Sequence, residues 1–482
     1  MGTQGKLSAR ERLQILLDPE SLVETGVLGH HRATAFGMQR VEAPGDGVIT
    51  GYGRLAGRTV CVAAEDFAVM GGSIGEMHAG KVSRILELAL RLGVPFIQLN
   101  ESGGARIQEG VVALDRLSEI FRQNTLASGV IPQISVVFGP AAGGAVYSPA
   151  LTDFTVMTRS ACMFVTGPDV IRTVTHEEVS FEDLGGGEVH NRQSGVAHFL
   201  ADDDRQAIAL VRELLGYLPD NNASEPPAVA SGEPPRPDEA LRDLIPRDHT
   251  RAYDIKQVIA RVSDAGQFLE IQAHFAPNVV VGFARLRGRP VGVVANQPRV
   301  MAGTLDVDAS DKAARFVRTC DAFNLPLVTL VDIPGYLPGT DQEHRGLIRH
   351  GAKLLYAYAE ASVPKLTVIL RKAVGGGYIA MSSRGLGADY VLALPDAEVA
   401  VLGAEGAANI LLKNGQATPE DREAFLREYR EELAHPYHAA RRGVVDDVID
   451  ASEIRPRLIA ALEGLRGKTV DRPVKKHGNI PL

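Results

Sequence analysis

Residues 51–58 read GYGRLAGR, and residues 282–289 read GFARLRGR. The offset of 231 persists from Met70 to Met301, Gly72 to Gly303, Lys81 to Lys312 and Pro95 to Pro326. It then drifts, to 232 between Pro132 and Pro364, 233 between Gly143 and Gly376, and 236 between Asp153 and Asp389 and between Gly167 and Gly403. Solenoid repeats have periods of about 20–50 residues, so this longer period marks a duplicated domain. Two related half-sites, each serving one ligand, follow as an expectation.

The motifs around the repeat predict alternating strands and helices. Residues 47–64 read as a hairpin turning at Ala56-Gly57. Apolar spacing predicts helices over 7–18, 76–92 and 113–127, with strands at PFIQLN (95–100) and QISVVF (133–138) and a helix beginning near Gly143. The second copy repeats the plan: helix 311–323, strand LVTLVDI (327–333), loop PGYLPGTD, helix 344–361, and strand KLTVIL (365–370) before loop RKAVGGG. A charged helix at 420–432 reads as a solvated face, and a last helix starts at Pro456. Strand–helix alternation of this kind gives parallel βαβ units and an α/β fold. The Pro-rich stretch 219–239 reads as an exposed linker. The domains are then expected at 1–222 and 240–482, joined by 223–239.

Bulk composition narrows the function classes. A net charge of −8 over 482 residues argues against a general nucleic-acid binder. Cys61, Cys162 and Cys320 form no C-x-x-C pair and read as buried reduced thiols. The 13 histidines lack metal-ligand spacing, and adjacent His30 and His31 would not converge in regular structure. No metal is expected. No apolar run suits a signal peptide or a membrane span, so the expected location is cytoplasmic.

The strongest chemical signals are glycines after a strand in each copy: Gly143-Gly144 in GPAAGGAVYS and Gly375-Gly376-Gly377 in KAVGGGYIAM. Such a turn lets backbone approach a ligand, and first-turn N–H groups then point at it. Two of them on one oxygen make an oxyanion hole, each donor worth about 2.7–4 kcal/mol in the transition state. Tight helix–strand packing also uses glycine, and that reading stays open for either turn alone. A second glycine-rich loop accompanies each: Ser102-Gly103-Gly104-Ala105-Arg106 and Pro334–Gly339. Arg106 and Glu109 either contact a ligand or pair with each other. His78 and His344 are weaker candidates. The chain lacks a G-x-S-x-G elbow, an H-E-x-x-H, a P-loop and a G-x-G-x-x-G after a strand. Chemistry run by backbone amides suits a reaction that develops an enolate, such as that of an acyl thioester.

KLSARERLQILLDPES, LNESGGARIQEG, FGPAAGGAVYSPALTDF, FEDLGGGEVHNRQSGVAH, DIPGYLPGTDQE and KKHGNIPL, in this order, resemble the carboxyltransferase β subunit of biotin-dependent acyl-CoA carboxylases, in the propionyl-CoA carboxylase branch. The resemblance spans Lys6 to Leu482. It implies two tandem crotonase-like ββα-spiral domains, with sites between the N domain of one subunit and the C domain of another, usually in a hexamer. It implies that Gly143 and Gly144 stabilise the acyl-CoA enolate, and that Gly376 and Gly377 stabilise the biotin oxyanion. Gly103, Gly104, Ala105, Arg106, Tyr378 and Ile379 become expected substrate-binding residues. Biotin would arrive on a separate carrier, with a biotin carboxylase α subunit as partner, and coenzyme A would be part of the substrate.

The chain departs from the family pattern at two neighbouring positions. Ile379 stands where acetyl- and propionyl-type members have Asp, which suggests a larger or more apolar acyl group. Gly377 replaces a commoner Ala, an expected widening of the same pocket. Three alternatives remain: the same site run as a malonyl- or methylmalonyl-CoA decarboxylase or transcarboxylase, a biotin-free crotonase-type thioester enzyme recruiting Glu101 or Asp332, and a non-catalytic assembly subunit.

Overall fold

The repeated segments fold as hairpins at equivalent places in two sheets. In the computed structural model, which describes residues 6–231, 234–412 and 418–482, the chain divides between Pro226 and Pro227. The first unit contains β1 (Val23–Thr25), β2 (Val48–Leu55), β3 (Arg58–Glu65), β4 (Phe96–Ser102), β5 (Gln133–Ala142), β6 (Phe154–Thr158), β7 (Cys162–Phe164) and β8 (Phe199–Ala201). Its sheet order is β1-β2-β3-β4-β5-β6-β8, with β7 also on β5. The β1–β2–β3 ribbon is antiparallel, and pairing from β3 onward is parallel.

The second unit repeats this arrangement with β9 (Phe268–Ile271), β10 (Val279–Leu286), β11 (Arg289–Asn296), β12 (Leu327–Ile333), β13 (Lys365–Val374), β14 (Tyr390–Ala393), β15 (Glu398–Ala400) and β16 (Asp447–Val448). The order is β9-β10-β11-β12-β13-β14-β16, with β15 on β13. Every residue of β4, β10 and β12 is buried. For β12 this matches a largely apolar run, since a strand paired in parallel on both sides is covered on both faces; β10 is antiparallel to both neighbours and is buried all the same.

Helices fall where the periodicity predicts them: Glu76–Leu92 and Val111–Ala127 in the first unit, and Val307–Ala322 and Leu347–Glu360 in the second. The first helix, Ala9–Leu16, begins at a capping box between Ser8 and Glu11. The repeated lysines are structural. Lys81 Nζ donates to the carbonyls of Gly45 and Val48, and Lys312 Nζ to those of Gln272, Phe275 and Ala276.

The expected linker is not free. Val229 N donates to Gly288 O at 3.0 Å, Arg285 Nη1 to Pro227 O at 2.8 Å, and Asp238 N to Ser452 O at 2.9 Å. These bonds tie residues 227, 229 and 238 to the second unit, with which they cluster. His30 and His31 also differ from expectation. They lie in irregular backbone, and their rings meet at 4.4 Å between centroids with their planes tilted by 37°. No helix among the described residues is long and apolar enough to cross a membrane.

Candidate active site

In the first unit the site grows from the end of β5. Pro140, Ala141 and Ala142 pair with β7, and Ala141 also pairs with Ser102 at the end of β4. The chain then turns through Gly143, whose φ of +57° is a conformation that favours glycine, into a short helical turn Gly143–Val146. The loop after β4 lies against this turn. A Cβ on Gly104 would sit 2.7 Å from the Ala142 carbonyl oxygen, so only glycine allows that approach.

The loop's own backbone is pinned. Gly103 N donates to Gly71 O at 2.9 Å, and Gly104 N to Ser102 Oγ at 3.1 Å. Ile74 N donates to Gly104 O, and Arg106 N to Ile74 O. In a parallel bridge these two bonds bracket Ala105 and turn its own N–H to the other side.

The Arg106 side chain is engaged within the protein. Its buried guanidinium donates to Asp46 Oδ1 at 2.6 Å, Glu109 Oε1 at 2.8 Å and Ser73 O at 2.7 Å. Glu109 Oε2 also accepts from Glu76 N. This is the internal ion pair, in which the Arg106 side chain staples the loop. His78 is buried too, with Nδ1 3.1 Å from Asp46 O. His344 is exposed on the short helix Thr340–His344.

The second unit builds the same feature from β13. Lys372, Ala373 and Val374 pair with β15, and Gly375 follows with φ +61° before helix Gly375–Ala380. Strand pairing fixes the equivalence. Ala141 and Ala373 hold the same place opposite Ser102 and Ile333, so Gly143 corresponds to Gly375 and Gly144 to Gly376. The offset here is 232, one less than the sequence alignment of Gly143 with Gly376 implied. Three consecutive glycines had allowed either register.

The loop after β12 mirrors the first loop. Leu305 N donates to Gly335 O at 3.2 Å, and Leu337 N to Leu305 O at 2.7 Å, bracketing Tyr336 where the first unit has Ala105. The Tyr336 ring lies beneath Gly376, with ring carbons 3.8 Å from where a Cβ would be. Burial pushes its phenol up to about 12.

A cavity of about 660 Å³ opens beside Gly375 and Gly376, a size suited to a small-molecule site. Tyr378 and Ile379 line it from the helix, and Val399, Ala400 and Val401 from β15 and its continuation. Gly377 is absent from the lining. Its side-chain direction faces the interior, where an added Cβ would be 2.6 Å from Ile333 Cδ1 and 3.2 Å from Gly335 Cα. Gly377 therefore makes room for Ile333, and the expected pocket widening does not occur.

The sequence reading missed the far wall: Tyr429, Leu433 and His438. The helix Pro419–Tyr429 runs into a π-turn, Arg430–Ala434, which carries Leu433 to the cavity. Single π-turns occur often at functional sites. The charged stretch is thus more than a solvated face, and only an apolar Leu433 among acids hinted at it.

Glu101 and Asp332 are equivalent and already paired. Arg12 Nη1 donates to Glu101 Oε2 at 2.8 Å, with Lys6 as a second partner. Arg371 Nε donates to Asp332 Oδ2 at 2.8 Å, and Lys372 N to Asp332 Oδ1 at 3.2 Å. Among the described residues, no group of three or more His, Cys, Asp or Glu is placed to hold a metal ion. Burial raises the thiol pKa of all three cysteines, Cys61 to about 12.

Comparison with known proteins agrees with this architecture. The carboxyl transferase domain model matches residues 2–480. A propionyl-CoA carboxylase carboxyltransferase subunit of Haloferax mediterranei is 55% identical over 99% of this chain and 94% of its own length. The methylmalonyl-CoA decarboxylase subunit alpha of Veillonella parvula is also 55% identical, over 99% and 94%. A crystal structure of transcarboxylase 12S, described as a hexamer assembly with hydrolysed methylmalonyl-coenzyme A bound, superposes with a TM-score of 0.98 at 52% identity. It covers 100% of this chain and 94% of that one. The two units are tandem crotonase-like domains, and the chain belongs to the carboxyl transferase domain family.

Proposed function

We propose that the chain is the carboxyltransferase subunit of an acyl-CoA carboxylase, moving a carboxyl group from biotin on a separate carrier to the α-carbon of an acyl-CoA. The observation that carries this reading is the pair of equivalent strand-end turns at Gly143 and Gly375, each followed by first-turn amides without intrahelical partners. The two carboxylates that could be recruited as bases, Glu101 and Asp332, are each held by an arginine. Backbone amides therefore stabilise the developing oxyanion.

In this division Gly143 and Gly144 hold the thioester oxygen, while Gly376 and Gly377 face the biotin side. Gly376 is exposed at the cavity, and Gly377 contributes an amide while its α-carbon packs on Ile333. The largely apolar cavity beside Gly376 has room for a bicyclic ring or an acyl chain. When bound, biotin supplies the carboxyl group and a basic ureido oxygen, which accounts for the lack of a protein base. Gly103, Gly104 and Ala105 wall the thioester side, and Tyr378 and Ile379 the acyl pocket. The reading includes a hexamer of this chain and a biotin carboxylase partner in the cytoplasm.

Relatives named as carboxylase and as decarboxylase match at equal identity, so the reverse direction is the second reading. The purified chain with its biotin carboxylase and carrier, ATP and bicarbonate is expected to carboxylate an acyl-CoA, and avidin is expected to abolish the reaction. Activity that survives avidin without a carrier would instead indicate a biotin-free thioester enzyme. Inactivity on short, branched and long acyl-CoAs would contradict the forward direction.

A further inference from the structure

The wall of the second cavity contains one side chain of a different kind. His438, on the short helix Pro436–Arg441, lines a space otherwise bounded by backbone, aliphatic side chains and two tyrosines. It is half-buried. Its imidazole makes no hydrogen bond, ion pair or ring contact among the described residues, and it stands out for that reason.

The other polar groups around it are engaged. Tyr429 Oη donates to Leu402 O at 3.0 Å. Glu398 on β15 lies 3.5 Å from Arg430 Nε and 3.8 Å from His249 Nδ1. Asp447 on β16 lies 3.4 Å from Arg457. His435 accepts from Tyr437 N and stacks on the Tyr437 ring. Tyr378, across the cavity, is a phenol whose ionisation burial opposes. Glu431, Glu432 and Arg441 are exposed and lie outside the lining.

An imidazole commonly changes charge between about pH 5 and 8. A cation in a mostly apolar cavity recognises an anion more strongly than it would in water. The reaction proposed above involves a carboxylate on one of its two partners at every stage, and that carboxylate lies close to the oxygen-binding turn. We infer that His438 is a specificity-determining residue that holds the carboxylate of whichever carboxylated group enters this cavity. Ile379, on the opposite wall, meets the apolar part of the same group. The inference rests on the carboxyltransferase reading.

Two arms separate the sources of the carboxylate. In the first, calorimetry on the full chain measures binding of methylmalonyl-CoA and of propionyl-CoA between about pH 6 and about pH 8. A carboxylate carried on the thioester gives methylmalonyl-CoA binding that weakens roughly tenfold across this range, the scale of one hydrogen bond to a charged group. Propionyl-CoA binding stays level, and His438→Gln removes the slope. In the second arm, kcat/KM for the carboxylated carrier is measured in the reconstituted complex. A carboxylate carried on biotin puts the roughly tenfold slope there, and His438→Gln again removes it.

His438→Gln is first checked for an unchanged melting temperature, with His438→Asn as a second neutral variant. A slope that remains in both neutral variants, or one that is absent from both arms of the wild type, overturns the role of His438 while leaving the carboxyltransferase reading intact. Wild type that binds neither CoA ester and transfers no carboxyl group overturns both.

Discussion

Arg371 and Asp332 form a buried ion pair, 2.8 Å from Nε to Oδ2, at the place in the second unit where Arg12 and Glu101 pair in the first. The aspartate is equivalent to the glutamate, but its arginine comes from a different element. Arg12 lies on the first helix and packs over Phe138, whereas Arg371 lies on β13 and packs over Tyr253. Duplication preserved the buried carboxylate at the strand end, with a cation recruited separately in each unit.

Removing one partner of this pair leaves a buried charge uncompensated, at a cost of about 3–5 kcal/mol. Asp332→Ala is therefore expected to lower the urea midpoint strongly, with Glu101→Ala doing the same in the first unit. An unchanged urea midpoint in either variant would contradict a stabilising role for that pair.

Gly377→Ala would push a methyl group into Ile333. Overpacking of this kind costs about 1–3 kcal/mol. Ile333→Val removes the clashing Cδ1, so the double variant is expected to be more stable than Gly377→Ala alone. Additive losses in thermal unfolding would show that the two positions do not touch.

The duplication, the helix positions and both glycine turns were legible in the sequence because each leaves a local pattern. The far wall of the cavity was not. Tyr429, Leu433 and His438 lie 53 to 62 residues beyond Gly376 and carry no motif, and a π-turn breaks the 3.6 period that would have revealed a face. Arg106 stayed open for another reason: an arginine in a glycine-rich loop looks the same in sequence whether its partner is a ligand or Asp46. The register of the second turn was also beyond the sequence, since only backbone conformation picks Gly375 from three glycines.

Ile379 is about half exposed and lines the cavity. Ile379→Asp makes that wall polar and is expected to shift preference toward shorter acyl-CoAs, by about tenfold in relative kcat/KM for a change worth one to two methylenes. A steady-state panel of acyl-CoAs checks this. An unchanged profile would remove Ile379 from the specificity argument.

Glu360 is partly buried, which raises its pKa, but hydrogen bonds from Lys475 and Arg318 outweigh burial and pull it down to about 2 from an ordinary 4.5. A depressed carboxylate contributes stability that is fully present above its unfolded pKa and fades as pH falls toward the folded one. The C-terminal segment held through Lys475 is thus expected to loosen between about pH 4.5 and about pH 2. Hydrogen exchange of residues 470–482 checks this. Glu360→Gln should show the loosened behaviour already at neutral pH, and equal protection in both proteins would contradict it.

The central claim is that the two glycine turns divide the work, one taking the thioester and the other the biotin. A crystal structure of the protein with an acyl-CoA and biotin bound tests it most directly. The account predicts the thioester oxygen about 3 Å from the amides of Gly143 and Gly144, and the ureido oxygen at a similar distance from those of Gly376 and Gly377. Both oxygens at one turn, or the two ligands exchanged, would contradict it.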